Sequence, residues 1–306
     1  MNTELFDKLN KVIDKDCIYC NEPMSRHTTF RVGGNADFFV TPQSIKEATD
    51  TVRLLLTEKE PFEIVGNGSN LLVTDSGIRG CVVCIGKGMD RISVNGNTVT
   101  AEAGAMLSKI AQVACDNNLA GMVFASGIPG TIGGAMVMNA GAYGGEMKDI
   151  VTKVTMLDID TGKIVTLDNE QMCFGYRTSV IKSHPYVVLS VELELVPGNR
   201  DEIKNEMAEL SAKRREKQPL EYPSAGSTFK RPEGYFAGKL IEDSGLRGYC
   251  VGGAQVSEKH CGFVINRGEA TAQDILTLIS NVRNKVKDQY GVILEPEVCI
   301  LGEEML

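Results

Sequence analysis

The chain has 306 residues, 42% of which are hydrophobic, and a formal net charge of −8. This length and composition suffice to bury one large core or a few smaller ones, and the acidic balance argues against a nucleic-acid partner. No run of about eighteen apolar residues predicts a membrane span, and the charged first residues do not resemble a secretory leader, so we predict a cytoplasmic protein without a membrane partner.

Helical and strand patterns are mixed along the chain, which predicts an α+β fold. In the first half, the predicted elements are a helix over residues 4–15, a strand Thr29–Thr41, a helix from Ser44 to about Glu58 opened by a Ser44/Glu47 capping box, a hairpin at Asn95-Gly96, and a helix from about Met106 to Asn118. The hairpin is the clearest of these signals, because Asn-Gly favours the tight turn that joins two antiparallel strands.

The second half begins with strands and then becomes strongly charged. Its predicted elements are strands Val151–Ile159 and Ile164–Leu167, a strand Tyr186–Val196, a helix Arg200–Lys217, a helix near Tyr235–Ser244, a Thr271-capped helix to about Tyr290, and a final strand Val292–Leu301. The alternating pattern stops at Pro197-Gly198-Asn199, so we predict a domain junction near residue 197.

Two glycine-rich segments are the most informative feature of the sequence. Residues 126–145 are rich in glycine and carry no charge, and a second run, Gly66–Asn70, lies between apolar strand-like sequences. Such segments lose much entropy on folding, a cost that is accepted where a ligand lies against bare backbone. Tight turns and a helix beginning in Thr131–Asn139 can hold phosphate oxygens through main-chain N–H groups. The Rossmann and P-loop motifs do not occur, so we predict a dinucleotide bound in another fold; ordinary tight turns are the alternative.

The nine cysteines include two Cys-x-x-Cys pairs with the spacing of zinc half-sites, Cys17/Cys20 and Cys81/Cys84. Cys81 and Cys84 lie in an apolar run that predicts a buried strand, where residues three apart face opposite sides. The odd total and the predicted cytoplasmic setting argue against a disulfide framework. We therefore predict free structural thiols and no metal site.

Three polar residues in otherwise unremarkable segments are suited to chemistry: Arg177, Ser227 and Glu297. Each has a structural alternative, namely a surface loop arginine, a turn before a helix and a solvent-facing strand glutamate. A serine nucleophile needs a base within hydrogen-bond reach, and the chain has three histidines and no G-x-S-x-G motif. A hydrolase is therefore not favoured, and Ser227 is better suited to donate a proton to a developing carbanion.

Seven short motifs, spread over nearly the whole chain, occur in a characteristic order. They are His27–Gly34, Gly66–Leu72, Gly127–Gly134, Met138–Gly145, Tyr176-Arg177, Ala225–Pro232 and Leu294–Val298. Together they closely resemble the UDP-N-acetylenolpyruvoylglucosamine reductase (MurB) family. No long insertion occurs between Tyr176 and Lys217, which resembles the shorter, type II branch of that family.

The resemblance implies a two-part FAD-binding domain of the vanillyl-alcohol-oxidase (PCMH) type over residues 26–197, with parts at about 26–86 and 87–197. An N-terminal helical segment, residues 1–25, would precede it, and an α+β substrate-binding domain, residues 198–306, would follow. The resemblance also implies non-covalent FAD as cofactor, NADPH as co-substrate and UDP-N-acetylglucosamine enolpyruvate as substrate. We expect a monomer.

The family chemistry gives the three polar residues roles. The resemblance implies that NADPH reduces the flavin and leaves, after which a hydride passes from flavin N5 to the vinyl carbon of the substrate. Arg177 and Glu297 match the residues that stabilise the resulting enolate, with Glu297 acting as the neutral acid or through Arg177. Ser227 matches the serine that protonates the α-carbon to give UDP-N-acetylmuramate, a peptidoglycan precursor. A fixed cation and a proton donor suit a dry site where negative charge develops.

Binding residues follow from the same resemblance. Those expected near FAD are Gly66, Asn67, Gly68, Ser69, Asn70, Leu71, Ser126, Gly127, Ile128, Gly130, Thr131, Gly133, Gly134, Asn139 and Gly141. Those expected near the substrate are Tyr143, Tyr176, Arg214, Lys217, Lys230 and Arg231, of which the four cations suit the diphosphate. A solvated helix face is the alternative for Arg214 and Lys217, and Arg231 stands where many relatives carry asparagine.

Two other functions stay open. An FAD-dependent sugar oxidase on the same scaffold would react with oxygen and lack the set of Arg177, Ser227 and Glu297. A non-catalytic nucleotide-sugar-binding protein would keep the fold without turnover.

Overall fold

The computed structural model describes residues 2–302. Its helices are α1 (Thr3–Leu9), α2 (Ile45–Glu58), α3 (Leu107–Asp116), α4 (Ile132–Val137), α5 (Arg200–Lys217), α6 (Ala237–Asp243) and α7 (Ala272–Tyr290). Its strands are β1 (Ile18–Pro23), β2 (Asn35–Val40), β3 (Phe62–Val65), β4 (Leu71–Val73), β5 (Ile78–Cys84), β6 (Ile92–Asn95), β7 (Thr98–Glu102), β8 (Leu119–Ala120), β9 (Gly141–Ala142), β10 (Gly145–Glu146), β11 (Val151–Asp158), β12 (Ile164–Asp168), β13 (Tyr186–Glu194), β14 (Val196–Pro197), β15 (Cys250–Val251), β16 (Ala254–Val256), β17 (Val264–Asn266) and β18 (Cys299–Leu301). Within residues 2–302, no helix is long and apolar enough to cross a membrane.

The chain divides into two compact units, each built from separate stretches of sequence. Residues 2–20, 38–67 and 80–214 form the first unit, and residues 21–37, 68–79 and 215–302 form the second. The predicted domains are continuous stretches of sequence with boundaries after residues 25 and 197, and they stay a prediction. The structure instead groups two short N-terminal stretches with the C-terminal third of the chain.

A five-stranded antiparallel sheet of order β12-β11-β13-β7-β6 forms the centre of the first unit. The predicted Asn95-Gly96 hairpin is confirmed, since Asn95 pairs with Thr98 and Gly96 has φ +59°. The alternation predicted for β13 is confirmed from Leu189 onward, where Leu189, Val191 and Leu193 are buried in the core, whereas Val187 and Val188 are both buried before it. Helix α4, which lies inside the glycine-rich segment, packs on β13 and β7.

A second sheet, of order β1-β2-β5-β3, ends with β3 parallel to β5. Strand β5 contains Cys81, which is fully buried, and Cys84, as the apolar run predicted. All nine cysteines are free thiols. Because β3 ends at Val65, the first glycine-rich loop begins directly after this strand.

Helix α7 organises the second unit by packing on the three-stranded sheet β15-β16-β17 and on α6. Its predicted start is confirmed: the Thr271 side chain accepts a hydrogen bond from the N–H of Asp274, and the Asp274 carboxylate accepts one from the N–H of Thr271. Gly291 ends it with φ +69°, the left-handed conformation that favours glycine. A parallel pair, β4 with β18, completes the unit.

Four predicted elements are wrong in part. The first helix ends at Leu9, because Asn10 closes it by donating back to Phe6 and Lys8. The predicted strand from Thr29 is present only as Asn35–Val40, since Arg31 adopts φ +56° and a strand has negative φ.

At the start of α2, Ser44 accepts a hydrogen bond from the N–H of Glu47, but the Glu47 carboxylate accepts from Gln43 rather than from Ser44, so half of the predicted capping box forms. The last predicted strand is present only as Cys299–Leu301. Pro296 within that segment has no N–H to donate to a ladder.

Candidate active site

In the first unit the two glycine-rich segments lie against each other. A Cβ atom on Gly66 would stand 2.6 Å from Oγ1 of Thr131, so a larger residue would force the Thr131 side chain or the loop to move. The Asn67 amide donates to the carbonyl of Pro129 at 3.4 Å. The predicted contact of one ligand with both segments therefore has a structural basis at Gly66, Asn67 and Thr131.

Beside this junction lies a cavity of about 350 Å³. The residues that line it are Phe62, Glu63, Ile64, Val65, Gly66, Ile85, Ala103, Thr131, Gly133, Gly134, Val137, Ile159, Ile181, Tyr186 and Val188. Four of the predicted cofactor residues are among them, and most of the others are aliphatic. A cavity with apolar walls and a glycine-rich edge fits a flat aromatic group attached to a phosphate.

The N-terminus of α4 is more fully paired than the sequence suggested. The N–H of Ile132 donates to Ala105 O and that of Gly133 to Ala103 O, both at 2.8 Å, while Gly134 N–H donates to Thr131 Oγ1 at 3.3 Å. These bonds fix the helix against β7. The helix N-terminus therefore shapes the cavity wall through Gly133 and Gly134 instead of offering a set of open N–H groups.

The rest of the glycine-rich segment forms successive tight turns. The Ser126 hydroxyl donates to Val123 O at 2.8 Å, and the amides of Ile128 and Gly130 donate to Ala125 O and Ile128 O. The carbonyl of Gly127 accepts a hydrogen bond from Arg214 of α5. Partial burial lowers the pKa of the Arg214 guanidinium, with Tyr143 opposing the shift.

Arg177 lies on a tight turn in the same unit. It has φ +55°, is half-buried, and its guanidinium lies 5.3 Å from the ring centre of Tyr176 and 3.5 Å from Gly141 O. The turn is closed by reciprocal main-chain bonds between Gly175 and Thr178. The structure thus brings together Gly141, predicted to lie near FAD, with Tyr176 and Arg177, which belong to a different motif.

The position of Asn139 near FAD stays a prediction, but the structure shows what its side chain binds. Its side chain is fully buried, and both of its polar atoms bind protein groups: Nδ2 donates to Gly175 O and to Glu146, and Oδ1 accepts from Lys148 N–H. The expectation of an FAD contact rested on the neighbouring motif. Its carboxamide links this motif to the turn of Arg177, a role that sequence alone did not reveal.

In the second unit, the segment after Ser227 lies between the segments that contain Gly262 and Glu297. The Thr228 N–H donates to Gly262 O, and the Glu297 N–H donates to Thr228 O, each at 2.8 Å. Ser227 itself is bridged to Phe263 and exposed, whereas Thr228 is fully buried. Two of the three predicted catalytic residues, Ser227 and Glu297, are therefore carried on adjacent segments.

The same unit holds the second part of the first glycine-rich loop. A Cβ atom on Gly68 would stand 1.9 Å from His27 O, and Gly68 has φ +62°. The Asn70 amide donates to the carbonyl of Glu297 at 3.0 Å, and Leu71 pairs with Cys299 in the β4–β18 ladder. Among residues 2–302, the main-chain N–H groups of Gly68, Ser69 and Asn70 donate no hydrogen bond to the protein, so they stay available to an anion.

The predicted substrate cations of the second unit have different surroundings. Lys230 pairs with Glu295 at 3.1 Å, and Arg231 lies 4.0 Å from the ring centre of Phe236, an exposed side chain. Lys217 is exposed at the end of α5. Arg177 belongs to the first unit, and Ser227 and Glu297 belong to the second.

Comparison with known proteins identifies the family. Two family models match: the UDP-N-acetylenolpyruvoylglucosamine reductase C-terminal domain over residues 218–301, and an FAD-binding domain over residues 36–168. A protein of Caldanaerobacter subterraneus subsp. tengcongensis named UDP-N-acetylenolpyruvoylglucosamine reductase is 53% identical over 300 residues, which covers 98% of this chain and 99% of that protein. The chain belongs to the UDP-N-acetylenolpyruvoylglucosamine reductase (MurB) family.

Further MurB proteins extend the match. A reductase of the same name from Clostridioides difficile is 52% identical over 303 residues, covering 99% of each chain. The crystal structure of MurB from Thermus caldophilus superposes with a TM-score of 0.80 at 34% identity, covering 92% of this chain and 97% of that one. The predicted α+β architecture, an FAD-binding domain followed by a MurB C-terminal domain, is confirmed. As a MurB protein, the chain is a flavin-dependent oxidoreductase with FAD as its cofactor.

Proposed function

We propose that this chain reduces UDP-N-acetylglucosamine enolpyruvate to UDP-N-acetylmuramate with NADPH, in peptidoglycan precursor synthesis. The observation that carries the proposal is the likeness, over nearly the whole chain, to proteins named for this reductase. Because both the FAD-binding part and the C-terminal part are matched, the likeness that supports the proposal extends over both parts of the chain.

The residues present fit FAD. The cavity of about 350 Å³ beside Gly66 and Thr131 suits a flat ring system, and the N–H groups of Gly68–Asn70 suit a pyrophosphate. When bound, FAD would supply the chemistry of hydride transfer between NADPH and the vinyl carbon of the substrate. The protein would form the binding site. Gly66 and Gly68 would let the backbone approach the ligand closely, and side chains of β3 would exclude water.

Ser227 is proposed to donate the proton. Hydride addition to the vinyl carbon leaves an electron pair on the α-carbon, and Ser227 Oγ–H supplies the proton that completes the new C–H bond. Its exposed hydroxyl, at the edge of a buried and paired segment, is held in place while remaining accessible. Solvent then returns a proton to the oxygen, so one NADPH and one proton are consumed in each turnover.

Arg177 and Glu297 are proposed to stabilise the negative charge that develops on the substrate carboxylate. A guanidinium offers a fixed fork of N–H donors to a carboxylate, and the closed turn at Gly175–Thr178 fixes the backbone that carries it. Glu297 helps if it hydrogen-bonds as the neutral acid or acts through Arg177. A carboxylate facing the enolate directly would oppose the reaction.

The predicted substrate contacts Tyr143, Tyr176, Lys217, Lys230 and Arg231 remain part of the proposal. The diphosphate of a UDP-sugar needs cations, and Lys230 and Arg231 follow Ser227 within four residues. Arg214 already holds Gly127 O, so we assign it to the cofactor loop as well. We propose a monomer working in the cytoplasm, and light scattering of the purified protein tests the oligomeric state.

An anaerobic two-step titration tests the function. NADPH is added to the purified protein first and UDP-N-acetylglucosamine enolpyruvate second, while the visible flavin absorption is recorded. Bleaching by NADPH followed by recovery with the substrate is the expected result. Recovery only on admission of air would overturn the proposal in favour of an oxidase, and a protein purified without flavin colour would favour a non-catalytic binding protein.

A further inference from the structure

Three residues of one small region in the first unit have a left-handed backbone conformation: Asn139 at φ +44°, Tyr143 at φ +51° and Arg177 at φ +55°. This conformation is unfavourable for most residues other than glycine and asparagine, and at Tyr143 and Arg177 it persists because the surroundings impose it. Strained backbone at two residues proposed to meet the substrate raises the question of what holds them.

The carboxamide of Asn139 connects both strained turns. Its Nδ2 donates to Glu146 Oε2 at 2.5 Å and to Gly175 O at 3.1 Å, and its Oδ1 accepts from Lys148 N–H at 2.9 Å. Glu146 ends the β9–β10 hairpin, which has Tyr143 at its tip, and Gly175 begins the turn that carries Arg177. One buried amide thus binds the base of the hairpin and the base of the turn.

The partners of Asn139 are themselves constrained. Glu146 pairs with Lys148 at 2.6 Å through its other oxygen, and this ion pair raises the pKa of Lys148. Asn139 is 1% exposed, so water cannot replace the lost donor if the amide is removed. A buried network of this kind has one arrangement in which every group is paired.

We infer that Asn139 is a positioning residue that sets the location of the Arg177 guanidinium. The inference rests on the proposed function, since it takes Arg177 as the group that stabilises the developing charge. Asn139 acts through Gly175, with its polar atoms committed to protein groups, and needs no contact of its own with the cofactor or substrate. An asparagine is suited to the position because it tolerates the left-handed conformation and offers both donors and an acceptor.

Asn139→Asp tests the inference with almost no change in shape. The new oxygen would face Gly175 O and the Glu146 carboxylate, so two attractive contacts become repulsive. We expect flavin reduction by NADPH within about threefold of the native rate and a substrate-dependent reoxidation at least about tenfold slower. Glu146→Gln in the Asn139→Asp background should recover part of that loss, because the glutamine can donate to the aspartate.

Asn169→Asp is the matched control. Asn169 lies in the same unit and donates to two main-chain carbonyls, Lys148 O at 2.8 Å and Val151 O at 2.7 Å, with no bond to the turn of Arg177. We expect it to lower thermal stability without slowing substrate-dependent reoxidation. Should Asn139→Asp fail to fold, Glu146→Ala removes the hydrogen bond between Asn139 and Glu146 at the more exposed end of the network. It should slow substrate-dependent reoxidation by a smaller factor.

A double-variant cycle separates positioning from a structural role. We expect Asn139→Asp to slow reoxidation by less than about threefold in an Arg177→Ala background, because residues that act as a unit are not additive. Equal losses in both backgrounds, or a loss no larger than that of Asn169→Asp, would overturn the inference. If Arg177→Ala itself leaves reoxidation unchanged, the proposed function of Arg177 fails instead, so the two failures are distinguishable.

Discussion

The main-chain N–H of Glu297 donates a 2.8 Å hydrogen bond to the carbonyl of Thr228. This bond sets the register between the segment that carries Glu297 and the segment that begins at Ser227. Because the register depends on the backbone, replacing the side chain of Ser227 or Glu297 leaves the two segments in place. Kinetic effects of such replacements therefore report on the side chains themselves.

Ser227→Ala should separate the two half-reactions. We expect flavin reduction by NADPH at the native rate and a substrate-dependent reoxidation slowed by at least about 10²–10³, since a positioned donor contributes that much and here supplies the proton itself. Anaerobic stopped-flow absorption of the flavin measures both steps. Ser224→Ala, three residues earlier, is the control, and native rates in both steps for Ser227→Ala would remove Ser227 from the mechanism.

Thr228→Val should weaken the second unit. The Thr228 side chain is fully buried and its Oγ1 accepts a 2.9 Å hydrogen bond from Val264 N–H, which valine cannot accept. We expect the free energy of unfolding to fall by about 1–3 kcal/mol, the cost of a buried unpaired donor. Urea denaturation measures it. Thr166→Val, which removes an exposed bond to Thr155, should cost less than about 1 kcal/mol, and equal losses would contradict the argument.

Gly68→Ala should impair FAD binding. The added Cβ would lie 1.9 Å from His27 O at a residue with φ +62°, so the loop must move. We expect purified protein with much less bound flavin, measured as the ratio of visible to ultraviolet absorption. Gly96→Ala is matched in φ, at +59°, but has nothing within 4 Å of the new Cβ. It should cost about 1–2 kcal/mol of stability and keep its flavin; equal flavin loss in both would contradict the prediction.

Alkaline pH should destabilise the fold through Cys81. Burial, assisted by the charge of Glu60, raises the pKa of the Cys81 thiol from 9.0 to about 12. Above pH 9 the unfolded chain releases this proton while the folded chain keeps it, so stability present below pH 9 is lost as the pH rises towards 12.

Between pH 9.5 and 11 this thiol adds a slope of about −1.0 to −1.3 kcal/mol per pH unit to the free energy of unfolding. Denaturation curves of native protein and Cys81→Ala over that range measure the difference, with exposed Cys250→Ala as control. Parallel pH profiles for native protein and Cys81→Ala would show that the buried thiol does not contribute.

Elements with strong local signals were predicted closely from sequence. Helix α7 has both a capping box at Thr271 and a glycine at its end, and the Asn95-Gly96 turn determines its hairpin almost alone. The strand predicted from Thr29 is wrong because Arg31 turns the chain into a left-handed conformation, which the alternation of residue types does not encode.

The candidate site, too, was predicted only where short motifs carry the information. Motifs placed Ser227, Glu297 and Arg177 by resemblance, and the structure shows the segments of the first two to be adjacent. The environment of Asn139 was not predictable, because it depends on Gly175, 36 residues away, and on the burial of its amide. Short motifs report which residues lie close in sequence, whereas the partners of a buried amide are set by tertiary packing.

The pairing of β4 with β18 has a consequence for how the protein is made. Asn70 and Glu297, at the start of that contact, are 227 residues apart in the chain. During synthesis β4 therefore has no partner strand until residues 299–301 have left the ribosome, and contacts between such distant residues form slowly. We expect nascent chains that lack β18 to expose an unpaired edge at Leu71–Val73 and to depend on chaperones. Cofactor capture would then report that β18 has been synthesised and has paired with β4.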